Sequence, residues 1–187
     1  MQQQRRDRNY YHSLRQRFVP DVTKLVIIAE SPPASGKYFY DPSGKTTEPL
    51  FSACMRHLGL SVSGKEQGLM ELQRLGWILL DATYEPVNKL GEAAREQVMA
   101  RDYGLLLDDL ATVADKTTPI VLIKKTVCRA LEPRLLAAGY NVINRGRVVY
   151  FPSHSRQRQF AEQFSAVLRE GNGETVTPRA ASPGVQG

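Results

Sequence analysis

The chain is poor in the residues that announce a cofactor, a membrane or an oxidising compartment. Only two of its 187 residues are cysteines, Cys54 and Cys128, and their spacing fits no metal site. Two thiols cannot supply the four ligands of an iron–sulfur cluster, so no such cluster is expected, nor any other cofactor or metal. Free, buried thiols in a reducing cytoplasm are the expectation instead. No apolar run approaches the roughly 20 residues that span a bilayer, so no membrane partner is expected. The Gln- and Arg-rich start has no apolar core of the kind a secretory signal carries. No internal repeat is visible. These gaps point to a cytoplasmic globular protein, expected to be a monomer.

What is present is ordinary in amount and informative in arrangement. Hydrophobic residues make up 42% and charged residues 24%, which suits one soluble domain with a sizeable core. The net charge of +6 favours a polyanionic partner, nucleic acid first. Part of that excess lies in Arg5, Arg6, Arg8, Arg15 and Arg17. Residues 1–20 therefore read as a basic arm, either solvated or touching phosphate, and 21–170 as the domain. The Gly-, Pro-, Ser- and Thr-rich residues 171–187 read as a disordered tail.

Apolar runs at 25–29, 77–80, 119–123 and 147–151 read as buried strands, with 140–143 as a short edge strand. Helical patterns fill the intervals: 48–58, 65–75 ending at Gly76, 91–114 with a break near Gly104, a helix ending at Gly139, and a closing helix to about 169. Strands alternating with helices predict an α/β fold, three-layer α/β/α, around a central four-stranded, mostly parallel sheet. The polar groups Glu30/Ser31, Asp81/Tyr84, Lys124/Lys125 and Ser153/His154/Arg156 then all follow strand carboxyl ends. They should converge on one rim, where open α/β sheets bind ligands.

The first strand runs straight into Glu30, Ser31, Pro32 and Pro33, so the chain leaves the sheet stiff and extended. Tyr38, Phe39 and Tyr40 follow, suggesting a pocket for something flat. Two Gly-Lys pairs, Gly36-Lys37 and Gly44-Lys45, invite a phosphate-loop reading. Each lacks a required part: Ser31 or Phe39 stands where the first glycine belongs, Tyr38 replaces the magnesium-binding hydroxyl in the first, and prolines offer no N–H.

Taken in order, these segments resemble the uracil-DNA glycosylase superfamily from about residue 24 to 168. Ala29-Glu-Ser-Pro-Pro33 sits where that superfamily has its first motif, GEAPG or GINPG. Gly36-Lys-Tyr-Phe39 is similar to the G-x-P-F that follows, and Gly59-Leu60 to the Gly-Leu pair ending the next helix. Ile78-Leu-Leu-Asp81 stands at the strand that ends in a base-reading Asn, and Phe151-Pro-Ser-His-Ser-Arg156 at the HPS motif.

The resemblance implies a glycosylase that turns a damaged or mismatched base out of duplex or single-stranded DNA and hydrolyses its N-glycosidic bond. By position it assigns catalysis to Glu30, Ser31 and His154, and base binding to Phe39, Tyr40 and Asp81. DNA contacts fall to Lys37, Lys124, Lys125, Ser153, Arg156 and Arg158. Three positions differ from the strongest branches: Ser31 replaces Asp or Asn, Asp81 replaces Asn, and Phe151 replaces His. An ionised Asp81 accepts hydrogen bonds but cannot donate, so it would suit a base edge rich in donors. The alternatives are a non-catalytic or differently catalytic nucleic-acid- or nucleotide-binding protein of the same fold, and an unrelated phosphate-binding α/β enzyme.

Overall fold

A computed structural model describes residues 7–171. Residues 1–6 and 172–187, with Arg5, Arg6 and all but the first residue of the expected disordered tail, lie outside the described residues. Leu25–Ala29 forms β1, buried along its whole length. A strand covered on both faces needs such an unbroken aliphatic run. β2 (Trp77–Asp81) and β3 (Ile120–Leu122) pair with it in parallel, in the order β2-β1-β3. The register sets Ala29 against Asp81, so Glu30 and Asp81 leave neighbouring strands within one residue of each other along the sheet edge. Val26, Ile28, Leu80, Ile120, Val121 and Leu122 are fully buried. Truncating any of the larger ones to Ala would cost about 2–5 kcal/mol.

Around the sheet stand α1 (Arg8–Gln16), α2 (Pro49–His57), α3 (Lys65–Leu75), α4 (Glu92–Arg101), α5 (Tyr103–Val113), α6 (Lys125–Ala137) and α7 (Gln157–Gly171). The α3 and α5 helices pack on β2, α6 on β3, α2 on α7, and α4 on α6. Gly76 ends α3 at φ 80, a conformation that glycine adopts without the clash a Cβ would bring. The expected break in the long helix falls at Asp102, whose carboxylate accepts from Thr83 Oγ1 at 2.6 Å. Cys54 and Cys128 are free and buried, and burial pushes their thiols up to about 12 and 11.

Among the described residues the fold is thus mixed α/β with three parallel strands and seven helices. The fourth strand expected at 147–151 is reduced to one bridge, Ile123 to Val149, and the edge strand at 140–143 to another, Ile120 to Val142. The reason is Asn144, which is fully buried between them. Its side-chain amide accepts from Leu122 N at 2.7 Å and donates to Leu122 O at 3.0 Å. One side chain thus satisfies the backbone groups that a neighbouring strand would otherwise have paired. Arg145 and Gly146, both at positive φ, then turn the chain away.

The described part of the basic lead-in is folded as well. The Asp7 carboxylate caps α1 by accepting from Tyr10 N at 3.0 Å. Tyr11, Arg15 and Phe18 are buried, so residues 8–18 pack into the domain that the sequence places from residue 21.

Candidate functional site

The strand carboxyl ends open into a cleft of about 930 Å³. It collects Glu30, Ser31, Phe39, Asp81, Lys124 and Lys125, and at its edge Lys37, Ser153 and Arg156. The convergence follows from the parallel sheet, which delivers every post-strand loop to the same side.

Glu30 lies at the end of β1 and is 7% exposed. Its Oε2 is ion-paired with Lys124 Nζ and, at 3.4 Å, with Arg95 Nη1; its Oε1 accepts from Thr126 Oγ1 at 2.5 Å. Two cations and a hydroxyl replace the water this group lost on burial. Arg95 is itself held, donating to Asn88 O at 3.0 Å and Leu90 O at 2.7 Å. Lys124 precedes α6 with φ at 90, a conformation that costs a residue with a Cβ roughly 1–3 kcal/mol.

Asp81, at the end of β2, has the opposite surroundings. It is 4% exposed, and its Oδ2 has no hydrogen-bond partner among the described residues. Burial pushes its carboxyl up to about 7, against the opposing pull of Arg15 and the Tyr38 hydroxyl. Near neutrality it is therefore divided between acid and carboxylate. The acid form carries a donor beside an acceptor, the pairing that an Asn amide offers.

No family model, curated protein or solved structure matches the chain. The site therefore rests on its own geometry.

Several sequence assignments shift position. Tyr40 does not line the cleft: its hydroxyl accepts from Leu79 N at 2.7 Å and donates to Leu79 O at 3.1 Å, inside the core. Tyr38 lines the floor in its place, with its hydroxyl buried and Asp81 pushing its ionisation further up after burial itself. Phe39 is half-buried in the cleft wall, edge-on to Phe51 at 6.1 Å. Ser31 Oγ accepts from Val87 N at 3.3 Å, while Asn88 Oδ1 accepts from Ala34 N at 3.0 Å. These two bonds fasten the post-β1 loop to the post-β2 loop, so Ser31 serves the shape of the wall.

His154 and Arg158 are exposed and do not line the cleft; Arg158 pairs with Glu162 one turn along α7 at 2.8 Å. Arg156 stays at the edge, its guanidinium 4.4 Å from the centre of the Tyr150 ring. Phe151, where the resemblance would have a histidine, is a 37% exposed apolar ring on the cleft wall.

The Gly-Lys pairs serve the wall too. Lys37 and Lys45 are exposed, and a Cβ on Gly44 would come within 2.5 Å of Glu48 Oε1 and 2.8 Å of Lys65 Nζ. Gly44 makes room for the buried Lys65, which donates to Tyr38 O and Glu48 Oε2, each at 2.7 Å. Among the described residues no cluster of three or more His, Cys, Asp or Glu side chains is placed to hold a metal ion. No helix among them is long and apolar enough to cross a membrane.

Sequence reasoning missed Arg95 and Thr126, both partners of Glu30. Thr126 was findable, since it follows Lys124 and Lys125 at the carboxyl end of β3. Arg95 sits in a polar helix with nothing in the local pattern to mark it.

Proposed function

We propose that the cleft receives a base turned out of DNA and hydrolyses its N-glycosidic bond. The observation that carries this reading is the pair of carboxyl groups on adjacent strand ends, one paired with two cations and a hydroxyl and one pushed up to about 7 by burial. Two acids set apart by their surroundings are the usual outfit for breaking a glycosidic bond. Glu30 orients the water and opposes the positive charge that grows on the sugar. As the C1′–N bond breaks, its electron pair leaves with the base, and protonated Asp81 supplies the proton that neutralises it. Water adds to C1′, and the proton it loses restores Asp81.

Phe39 offers a ring face to the extruded base, offsetting part of the few kcal/mol that unstacking costs. Lys37, Lys125 and Arg156 at the edge meet the phosphates. Because Asp81 can be neutral, a base edge with an acceptor also fits, which widens the choice beyond donor-rich edges. In fold terms, this reading takes the segment around Val149, which makes a single bridge to Ile123, as the remnant of the fourth strand of a uracil-DNA glycosylase-like three-layer fold. On this reading the protein acts in base excision repair, in the cytoplasm, as a monomer on duplex or single-stranded DNA.

One observation favours a binding-only version: both oxygens of Glu30 already have partners, and the Ser31 hydroxyl is committed to Val87. Oligonucleotides carrying uracil, hypoxanthine, xanthine or a mismatched thymine separate the two. Abasic product from at least one, falling as pH rises above about 7, is the expected result. Salt-sensitive binding with no abasic product from any of them selects the binding module. Neither product nor binding rejects the nucleic-acid reading altogether.

A further inference from the structure

Arg95 makes three contacts with one planar group, and they reach two different parts of the cleft wall. Its Nε donates to Leu90 O at 2.7 Å and its Nη2 to Asn88 O at 3.0 Å, both on the post-β2 loop. Its Nη1 meets Glu30 Oε2 at 3.4 Å, at the end of β1. All four residues line the cleft, and the Arg95 side chain is 18% exposed. Lys124, the other cation on that Glu30 oxygen, is a point charge and 30% exposed.

The helix that carries Arg95 is placed by charge more than by an apolar face. Met99 is the one buried residue of α4. Arg129 of α6 holds the outer side of the helix, pairing with Glu92 at 3.1 Å and with Glu96. The post-β2 loop is tied to the post-β1 loop through Val87 N on Ser31 Oγ and Ala34 N on Asn88 Oδ1. Those bonds reach the chain after Glu30 and leave its carboxylate alone. Of the three partners of that carboxylate, Arg95 is the one that also holds the post-β2 loop.

We infer that Arg95 is a positioning residue that couples the aim of the Glu30 carboxylate to the post-β2 wall of the cleft. This rests on the role given above to Glu30. A guanidinium carries its donors in a fixed fork, so a tilt that improves the bonds to the two carbonyls changes the angle at Glu30. An ammonium in its place would keep the charge and lose the shared plane. Were Arg95 only a counter-charge, it would be interchangeable with Lys124. Were it only a staple for the loop, a change at Glu30 would not reach residues 87–90.

The test is amide hydrogen exchange at Val87 and Leu90, read by NMR against the amides of β1. Arg95→Met should speed exchange at both about tenfold or more, and Arg95→Lys should speed it although the charge is kept. Glu30→Gln should speed it about fivefold, even though the two amides bond to Ser31 Oγ and Val87 O and not to Glu30. Lys124→Met should leave it within about twofold. Adding Glu30→Gln to Arg95→Met should change nothing further, because the connection is already cut. Unmoved exchange in Arg95→Met, or a Glu30→Gln effect that persists in full beside it, overturns the inference. Should Arg95→Met not fold, Arg95→Lys carries the same comparison. On the base released fastest, Arg95→Met and Arg95→Lys should each lower kcat about 100-fold with KM within about threefold. An unchanged kcat in Arg95→Lys, or a loss confined to KM, also overturns it. The exchange measurements need no substrate. Exchange that moves as stated, with no abasic product from any base, would sink the proposed reaction and leave the link through Arg95 standing.

Discussion

Glu30 and Asp81 end adjacent strands one register step apart, yet the fold surrounds them in opposite ways. Glu30 is buried together with Lys124, Arg95 and Thr126, so its charge is answered on both oxygens. Asp81 is buried to the same degree with one oxygen unanswered, and the buried Arg15 guanidinium is engaged by Tyr84 and Asp109. Burial alone therefore does not decide what a carboxyl group does. Its partners do: Glu30 is answered by two cations and a hydroxyl, whereas Asp81 is pushed up to about 7.

The contrast can be broken most sharply at Asp81. An acid whose folded carboxyl sits near 7, against an unfolded value near 4, holds a proton that the unfolded chain releases. Stability is therefore lost as pH rises from about 4 to 7 and is level above that. Asp81→Asn removes the penalty: it should gain up to about 4 kcal/mol at pH 8 and close to nothing at pH 4, read by urea unfolding across that range. An equal gain at both pH values would mean that Asp81 is an ordinary carboxylate.

Glu30→Gln attacks the other side. It leaves Lys124 and Arg95 facing a neutral amide in a half-dry cleft, costing about 3 kcal/mol of stability, the low end of the range for a broken buried pair because both cations keep some water. Excision, assayed by abasic-site formation, should fall about 100-fold or more. Thr126→Val removes only the hydroxyl on Oε1. A loss of about 1.5–2 kcal/mol is expected in thermal or urea unfolding, and a value near zero would show that the cations alone satisfy Glu30. The smallest effect is expected outside the cleft, at His154→Ala: stability within about 0.5 kcal/mol and unchanged excision at any pH. A clear loss of excision there would restore His154 to the catalytic set.

Much of this arrangement was legible in the chain. The aliphatic runs of β1 and β2 permit no other use, and parallel strands must send Glu30, Asp81 and Lys124 to one edge. What stayed hidden depends on side-chain direction rather than pattern. Tyr38, Phe39 and Tyr40 are consecutive in an irregular loop, where no period tells which ring faces the cleft, and the structure chose Tyr38 over Tyr40. The fourth strand was read from a genuine apolar run, but its pairing passes largely through the Asn144 amide, which strand propensity does not register. Arg15 looked like one basic residue among several in an arm. Only the docking of Tyr11 beside it shows that this arginine points inward.

Lys124 holds its place against its own backbone. At φ 90 a glycine would relax the turn into α6, so Lys124→Gly offers the protein an easier chain at the expense of a cation on Glu30. The strain relieved, about 1–3 kcal/mol, is no larger than the cost of leaving the buried Glu30 short of a cation, so the turn into α6 keeps its lysine for the sake of the ion pair it completes.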